Sequence, residues 1–209
     1  MSSLSSAPGG FALMGSLIVA VGAQNTFVLQ QGLRREHVGA IVLVCIAADV
    51  LLTAAGVAGL GAALGRVPGL TPALTCGGAA FLAWYGVSAL RRACRPDVLA
   101  ADPAGQALPL RTALVRAAGF TLLNPHVYLD TVLLMGSISA ALAVDQRPGF
   151  LAGAALASTS WFLVLGYGAR LLAPLFRTPT AWRVLDGVVA LTMAVLAAGL
   201  VRQVLAGLA

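Results

Sequence analysis

Two aspartates lie inside apolar stretches that are long enough to cross a bilayer. Asp49 and Asp130 are therefore carboxylates with little water to solvate them. A carboxylate near the bilayer centre costs at least ~2.5 kcal/mol on insertion scales, so it is usually retained for an ion pathway, a proton relay or a ligand. Each could bind a cationic solute or a proton. Each could instead be structural, paired with Arg116 or Arg170 or hydrogen-bonded by hydroxyl groups.

The second aspartate ends the motif Asn124-Pro125-His126-Val-Tyr-Leu-Asp130, which interrupts its apolar stretch. Pro125 removes a backbone donor and clashes with the carbonyl four residues back, which frees polar backbone groups. Hydrocarbon cannot satisfy such groups, so we expect the break and Asn124 to face protein or a wet cavity. His126 either handles protons or donates to a carbonyl that Pro125 frees.

Further polar side chains lie at matching places in the sequence. The segment Gly22-Ala-Gln24-Asn25 interrupts the first apolar stretch, and Ser158 and Thr159 provide hydroxyls in the fifth. We expect a helix break at Gly22. We also expect Gln24, Asn25, Ser158 and Thr159 to join the two aspartates in one binding region.

The helix rise gives the depth of each aspartate. Asp49 lies ten residues from Gly39, or ~15 Å along a helix, which is half of a ~30 Å hydrocarbon core. Asp130 lies thirteen residues from Ala117, or ~20 Å, and less if the break shortens the path. The sequence therefore predicts two carboxylates at similar depth near the midplane.

The composition places most of the chain in a membrane. Of 209 residues, 59% are hydrophobic and 10% are charged, which leaves too little polar surface to coat a soluble globule. All thirteen basic residues are arginines in or near short connectors and form no basic patch. We expect them to meet anionic lipid headgroups and not nucleic acid. The three cysteines lack the spacing of metal or redox motifs.

Six apolar stretches, each near the ~20 residues that a bilayer requires, predict an all-α integral membrane protein. We place them at residues 10–30, 39–64, 70–90, 113–142, 149–172 and 184–205. Together they form one transmembrane domain over residues 1–209, which a longer loop near residues 91–111 divides in two. The polar first stretch leaves a five-span alternative with a cytoplasmic amino terminus.

The arginines are distributed unevenly between the two sides. The connectors after spans one, three and five hold or adjoin ten, namely Arg34, Arg35, Arg91, Arg92, Arg95, Arg111, Arg116, Arg170, Arg177 and Arg183, and the other side holds three. This excess predicts that those connectors are cytoplasmic and that both termini lie outside. Asp186, beside Arg183 at the start of span six, is interpreted as a charge at a helix start.

The two halves of the chain resemble each other. Gly39, Asp49 and Gly56 fall on Gly149, Thr159 and Gly166 at a constant offset of 110 residues. Since each half holds three spans, the second half would be inverted relative to the first. Two inverted three-helix repeats, at about residues 10–95 and 112–206 with interrupted helices one and four, predict a binding site near the midplane.

Four segments together carry a family resemblance. They are Gly22-Ala-Gln-Asn-Thr-Phe-Val-Leu-Gln-Gln-Gly32, Ala48-Asp-Val-Leu-Leu-Thr-Ala-Ala-Gly56, Phe81-Leu-Ala-Trp-Tyr-Gly86 and Asn124-Pro-His-Val-Tyr-Leu-Asp130. Over essentially its whole length the chain resembles the LysE-type lysine and arginine exporters, which are bacterial inner-membrane carriers. Related branches that export neutral amino acids tend to carry Pro-Gly-Pro where this chain has Val-Gly-Ala-Gln. The resemblance therefore favours the basic-substrate branch.

The resemblance implies a non-enzymatic secondary exporter of L-arginine or L-lysine, coupled to protons, with Asp49 and Asp130 as its carboxylate pair. It implies neither a cofactor nor a metal, and it leaves a homo-oligomer open. Two other classes stay open from the residues. An exporter of another small solute, a neutral amino acid or a divalent metal cation, could use the same acidic pair, although metal sites want more ligands. A membrane enzyme or an assembly subunit would need a nucleophile with a base or a large extramembrane surface.

Overall fold

The computed structural model describes residues 3–19, 22–59, 70–94, 108–124 and 127–208, and every regular element in these ranges is helical. Short 3-10 segments lie at Ser3–Ser6, Val144–Gln146 and Ala169–Arg177, and a π-helix lies at Tyr128–Leu134. The α-helices are α1 (Ala7–Ile18), α2 (Ala23–Arg34), α3 (Val38–Val57), α4 (Leu70–Cys94), α5 (Leu110–Leu122), α6 (Met135–Ala140), α7 (Arg147–Gly168) and α8 (Pro179–Leu208).

Several of these helices have the length and composition of membrane spans. The stretches Val38–Val57, Val144–Phe176 and Pro179–Arg202 qualify singly, and the bent pair α1 and α2 would make a fourth span. These findings cover the described residues and confirm an all-α protein with apolar membrane helices. The predicted number of six spans stays a prediction.

Two of the predicted spans are interrupted. The helices α1 and α2 are inclined by 82° to each other, and Gly22 between them has an extended backbone that caps α2. In the fourth stretch, α5 ends at Leu122 and the chain becomes helical again before the π-helix. The predicted break at Gly22 is therefore confirmed, whereas Pro125 and His126 lie outside the described residues.

The helices α3 and α7 form the centre of the molecule. They pack against each other, and α7 also contacts α1 and α2, while α3 also contacts α5, the π-helix and α6. The long helix α4 packs mainly along α8. Buried aromatic side chains of α2, α4 and α5 join these groups of helices, with Phe27, Tyr85 and Phe120 at the contact.

Close helix contacts depend on four glycines. A Cβ on Gly56 would lie 2.6 Å from the Val132 carbonyl oxygen, and one on Gly136 would lie 2.7 Å from the Gly56 carbonyl oxygen. At another contact, a Cβ on Gly32 would overlap the Gly166 carbonyl oxygen. The absence of side chains therefore lets α3 meet α6 and the π-helix, and lets α7 meet α2.

Candidate functional site

The pair α3 and α7 positions Asp49 and Ser158 at the centre of the bundle. Asp49 lies eleven residues after Val38, and Ser158 lies eleven residues after Arg147, so each is ~16 Å from the start of its helix. Both residues are buried, and the Ser158 hydroxyl donates to Asp49 Oδ2 at 2.9 Å. The structure thus brings together two side chains that the sequence placed at one depth.

No cationic side chain of the described residues neutralises Asp49. The ion pair found in those ranges joins Arg92 to Asp186. Arg116 lies over an aromatic ring of α4, and Arg170 donates to a backbone carbonyl. The alternative in which Asp49 pairs with Arg116 or Arg170 is therefore wrong.

Polar atoms without hydrogen-bond partners lie one turn to either side of Asp49. Thr53 follows Asp49 by four residues, and its buried Oγ1 has no partner. Gln24 lies against the weakly accepting thiol of Cys45, four residues before Asp49, and its buried Nε2 has no other acceptor. Each such atom costs ~1–3 kcal/mol. Together with Asp49 they define the Asp49 site. The sequence analysis missed Thr53, although its four-residue spacing from Asp49 places both on one helix face.

Thr159 does not share the role of its neighbour. Its hydroxyl donates to the Ala155 carbonyl at 2.7 Å, within its own helix. Successive residues of a helix point in directions ~100° apart, so only one of the two can face α3. Of the two predicted hydroxyls, the structure brings Ser158 to the carboxylate and leaves Thr159 on its own backbone.

Asn25 closes the first break. Its Nδ2 donates to the Ile18 carbonyl at 2.7 Å, and its Oδ1 accepts from Trp161 Nε1 at 3.2 Å. The Ile18 carbonyl belongs to the end of α1, where helical partners are missing. Asn25 therefore joins both sides of the break and ties them to α7, three residues from Ser158.

A second side chain closes the fourth-span break in a similar way. The Tyr128 hydroxyl donates to the Leu122 carbonyl, at the end of α5, at 2.9 Å. The Asn124 backbone carbonyl, inside the break, accepts from the Val127 N–H. The predicted site residue His126 lies outside the described residues, and so does Pro125. The sequence pointed to Asn124 for this break but did not predict that Tyr128 would close it.

Asp130 lies in the π-helix, which is a rare element that often marks functional positions. The next residue, Thr131, contributes a carbonyl oxygen that would lie 2.7 Å from a Cβ on Gly56. Gly56 is seven residues beyond Asp49, or ~10 Å along α3. The backbone after Asp130 therefore meets α3 about two turns beyond Asp49. A similar depth for the two carboxylates stays a prediction.

A second buried polar group lies near the ends of α2, α4 and α8. It consists of Gln30, Tyr85, Arg92 and Asp186, which we call the Asp186 cluster. Arg92 Nη2 and Nε donate to Asp186 Oδ1 at 2.9 and 3.2 Å, and Gln30 Nε2 donates to the same oxygen at 3.2 Å. The Tyr85 hydroxyl donates to Gln30 Oε1 at 2.9 Å.

The interpretation of Asp186 as a charge at a helix start is therefore wrong. Asp186 is 1% exposed, and Arg183 donates instead to the Ala93 carbonyl. Seven residues separate Asp186 from the start of α8 at Pro179, or ~10 Å, which is too deep for a helix-end charge. The polar Gln30 within an apolar span was the signal that the sequence offered.

The arrangement can bind a small cation. The Asp49 site offers a buried carboxyl group beside a hydroxyl and an amide that have unused hydrogen-bonding capacity. Within the described ranges, no group of three or more His, Cys, Asp or Glu side chains could hold a metal ion. A site of this kind attracts a positively charged group and can hydrogen-bond the remainder of the ligand.

Comparisons with known proteins agree with this geometry. The family model described as "LysE type translocator" matches residues 15–204. A protein of Mycobacterium bovis named "Putative amino-acid transporter Mb0498" is 48% identical over 86% of this chain and 89% of its own length. The "Arginine exporter protein ArgO" of Yersinia enterocolitica is 40% identical over 93% of this chain and 95% of its own.

No solved structure matches the chain. The family match nevertheless extends over most of the sequence, including both aspartates, both helix breaks and the Asp186 cluster. The relatives are transporters by name, which agrees with the expectation of a protein that is not an enzyme. The chain belongs to the LysE type translocator family.

Proposed function

We propose that the protein exports basic amino acids, L-arginine foremost and L-lysine as a second candidate, across the bacterial inner membrane. The observation that carries this proposal is a buried aspartate, central in the bundle, with no cationic partner among the described residues. Leaving such a charge bare is costly, so a mobile cation is its natural partner. The Yersinia relative named as an arginine exporter supports the choice of substrate.

In this proposal, Asp49 holds the cationic group of the substrate. Ser158 fixes the orientation of the carboxylate, since its hydroxyl already donates to Oδ2. Thr53 and Gln24 then hydrogen-bond the rest of the amino acid, because their buried polar atoms have no other partner. Asn25 and Trp161 maintain the shape of the break beside this site.

Asp130 carries the proton that drives export. Moving one positive charge outward against the membrane potential costs ~2.3 kcal/mol per 100 mV, so a returning proton is needed to make the cycle favourable. The residue after Asp130 meets α3 at Gly56, ~10 Å along that helix from Asp49, so the two carboxylates can bind different cations. We assign His126 and Asn124 to the same proton path because they precede Asp130 in the break motif.

The architecture that we propose is six spans in two inverted three-helix repeats, with α4 as span three. At 25 residues, α4 is ~37 Å long, which exceeds a ~30 Å hydrocarbon core. The glycines that the repeat pairs both lie at close helix contacts. A Cβ on Gly56 would meet the backbone of span four, and the Gly166 carbonyl lies where a Cβ on Gly32 of span one would be. The two breaks are also each closed by a side chain that follows them.

Orientation can be tested at the two ends of α7 and its 3-10 extension. In a variant without native cysteines, a cysteine at Thr178 should react with an impermeant maleimide only from the cytoplasm. One at Asp145 should react only from outside, and one at Ala104 should behave like Thr178. The excess of arginines on one side supports this orientation. External labelling at Thr178 would invert it.

The function is tested by efflux from cells or vesicles that contain the protein. Loaded with labelled arginine, lysine or citrulline, they should export the first two and retain citrulline, which has the shape of arginine without its charge. Dissipating the proton gradient should stop net export. Citrulline efflux at the arginine rate would indicate a neutral-solute carrier, and efflux of a divalent metal alone would indicate a metal exporter.

A further inference from the structure

We propose that the Asp186 cluster is a guanidinium-binding access site at the cytoplasmic end of the bundle. Arg92 occupies it in this structure, and the guanidinium group of an arginine substrate takes the same place during export. The inference rests on the proposed function and its orientation. The observation behind it is the difference in exposure between the two partners, since the Arg92 side chain is 32% exposed and that of Asp186 is 2% exposed.

The cluster already holds a guanidinium group with the interactions that recognise one. Two nitrogens of Arg92 donate to Asp186 Oδ1, and the Arg92 guanidinium lies over the ring of Tyr85, 5.7 Å from its centroid. A carboxylate in the plane of the group and an aromatic face against it are general features of guanidinium binding. A free guanidinium of the same geometry would meet the same partners.

The resident arginine leaves part of the site unused. Asp186 Oδ2 is buried and has no hydrogen-bond partner, because both Arg92 nitrogens and Gln30 donate to Oδ1. A guanidinium group pairs best with a carboxylate through two parallel hydrogen bonds, one to each oxygen. Because Arg92 is attached to α4, its guanidinium leaves Asp186 Oδ2 without a donor. A mobile guanidinium can donate to that oxygen.

The charges around the cluster favour replacement of Arg92 over binding of a second cation beside it. Arg34, Arg92 and Arg116 all lie close enough to Tyr85 to interact with it electrostatically, as does Asp186. A second cation entering beside Arg92 would be repelled by these arginines. The Arg92 side chain is already partly exposed. When it turns toward solvent, an incoming guanidinium can pair with Asp186, and the number of positive charges in the site does not increase.

The position of the cluster fits a first step in export. Asp186 lies ~10 Å from the start of α8, and Asp49 lies ~16 Å from the start of α3. Both helices start on the arginine-rich side of the bundle in the proposed orientation. The residue after Asp130 meets α3 beyond Asp49, at Gly56. Asp186 and Asp49 therefore follow one another from the cytoplasmic side outward, and Arg92 covers the first of them.

The test measures binding of methylguanidinium to the full-length protein in detergent, with Asp49→Asn in every form so that the central site does not contribute. A tethered side chain competes at an effective concentration of about the millimolar range. Arg92→Ala should therefore tighten methylguanidinium binding by ~10-fold, since the resident competitor is gone. Arg92→Ala combined with Asp186→Asn should abolish binding. Arg183→Ala is the matched control, because Arg183 lies nearby without touching Asp186, and it should change nothing.

Equal binding in the parent and in Arg92→Ala, or binding retained after Asp186→Asn, would overturn the proposal. Should Arg92→Ala fail to fold without ligand, Arg92→Gln keeps an amide near Asp186 and should show the same ordering at smaller amplitude. Because the readout is binding and not flux, the two proposals fail separately. If arginine is exported but binding does not follow this order, the access site alone is refuted. If binding follows this order but arginine is not exported, the access site is supported and the proposed substrate is refuted.

Discussion

Two buried aspartates, Asp49 and Asp186, differ in the groups that surround their carboxylates. Asp186 has an arginine within 2.9 Å and a glutamine on the same oxygen. Asp49 has one neutral hydroxyl donor and, among the described residues, no cation. A buried carboxylate without a countercharge is the more costly arrangement. Under the proposed function, the carboxylate of Asp49 is kept for a ligand that comes and goes, whereas Asp186 has a resident cation.

The helices that hold the two aspartates also differ. Asp186 joins the ends of α4 and α8, two long helices that pack along each other. Asp49 lies between α3 and α7, each of which also contacts an interrupted span. In inverted-repeat carriers, interrupted helices form the central binding site, around which one repeat moves against the other. We therefore expect substitutions at Asp49 to act on transport and substitutions in the Asp186 cluster to act on stability and access.

The largest expected effect follows from neutralising the central carboxylate. Asp49→Asn keeps size and hydrogen bonding but removes the charge, so arginine export should fall by ~30-fold or more, the equivalent of ~2 kcal/mol for a lost buried charge pair. Asp130→Asn should stop net export as well, because the returning proton has no carrier.

Labelled-arginine efflux, normalised to protein abundance by blot, measures both variants. Asp145→Asn is the control, since Asp145 is exposed near the start of α7, and it should export normally. Wild-type export by Asp49→Asn would make Asp49 structural and would move the search toward Asn25, Asn124 and the hydroxyls of α7.

The resident ion pair should show its importance in stability. Arg92→Gln leaves the buried Asp186 carboxylate without a cation, which should cost ~2–3 kcal/mol, at or below the low end for a broken buried pair because Arg92 is partly solvated. The thermal midpoint in detergent measures this loss. Asp186→Asn should cost less, since the remaining arginine can hydrate. A greater loss from Asp186→Asn than from Arg92→Gln would contradict the contrast drawn here.

A smaller effect is expected at the hydroxyl beside Asp49. Ser158→Ala removes one hydrogen bond, worth ~0.5–1.5 kcal/mol, so the apparent affinity for arginine should weaken by about 2- to 12-fold. Thr159→Ala is the matched control, because its hydroxyl bonds its own helix backbone. The half-saturating arginine concentration for export distinguishes them, and equal effects of the two variants would remove Ser158 from the site.

The smallest effect is expected where a side chain closes a break without contact to Asp49. Tyr128→Phe loses the bond to the Leu122 carbonyl and should lower the export rate by about threefold or less, because that bond is exposed and water can replace it. Asn25→Ala should lower it more, since Asn25 bonds both Ile18 and Trp161. A rate loss from Tyr128→Phe as large as that from Asn25→Ala would show that the two closures are equally important.

The sequence predicted features that depend on local chemistry. Apolar length identified the helices, the polar segment at Gly22 identified a break, and the polar pattern predicted that Ser158 would join Asp49. The sequence could not predict the direction of each side chain, and that direction determines whether Ser158 or Thr159 faces Asp49. The Asp186 cluster is assembled from three distant helices, so no local pattern reports it. Helix starts are the boundaries that composition defines least, and α8 begins at Pro179, before the predicted start of span six at residue 184.

The most direct test of the central claim is counterflow of labelled arginine in vesicles that contain unlabelled arginine. Exchange needs substrate binding and alternation but no net movement of protons. We expect Asp130→Asn to exchange arginine near the wild-type rate while failing in net export, and we expect Asp49→Asn to fail in both. Counterflow by Asp49→Asn at the wild-type rate would contradict the assignment of Asp49 as the residue that holds the substrate cation.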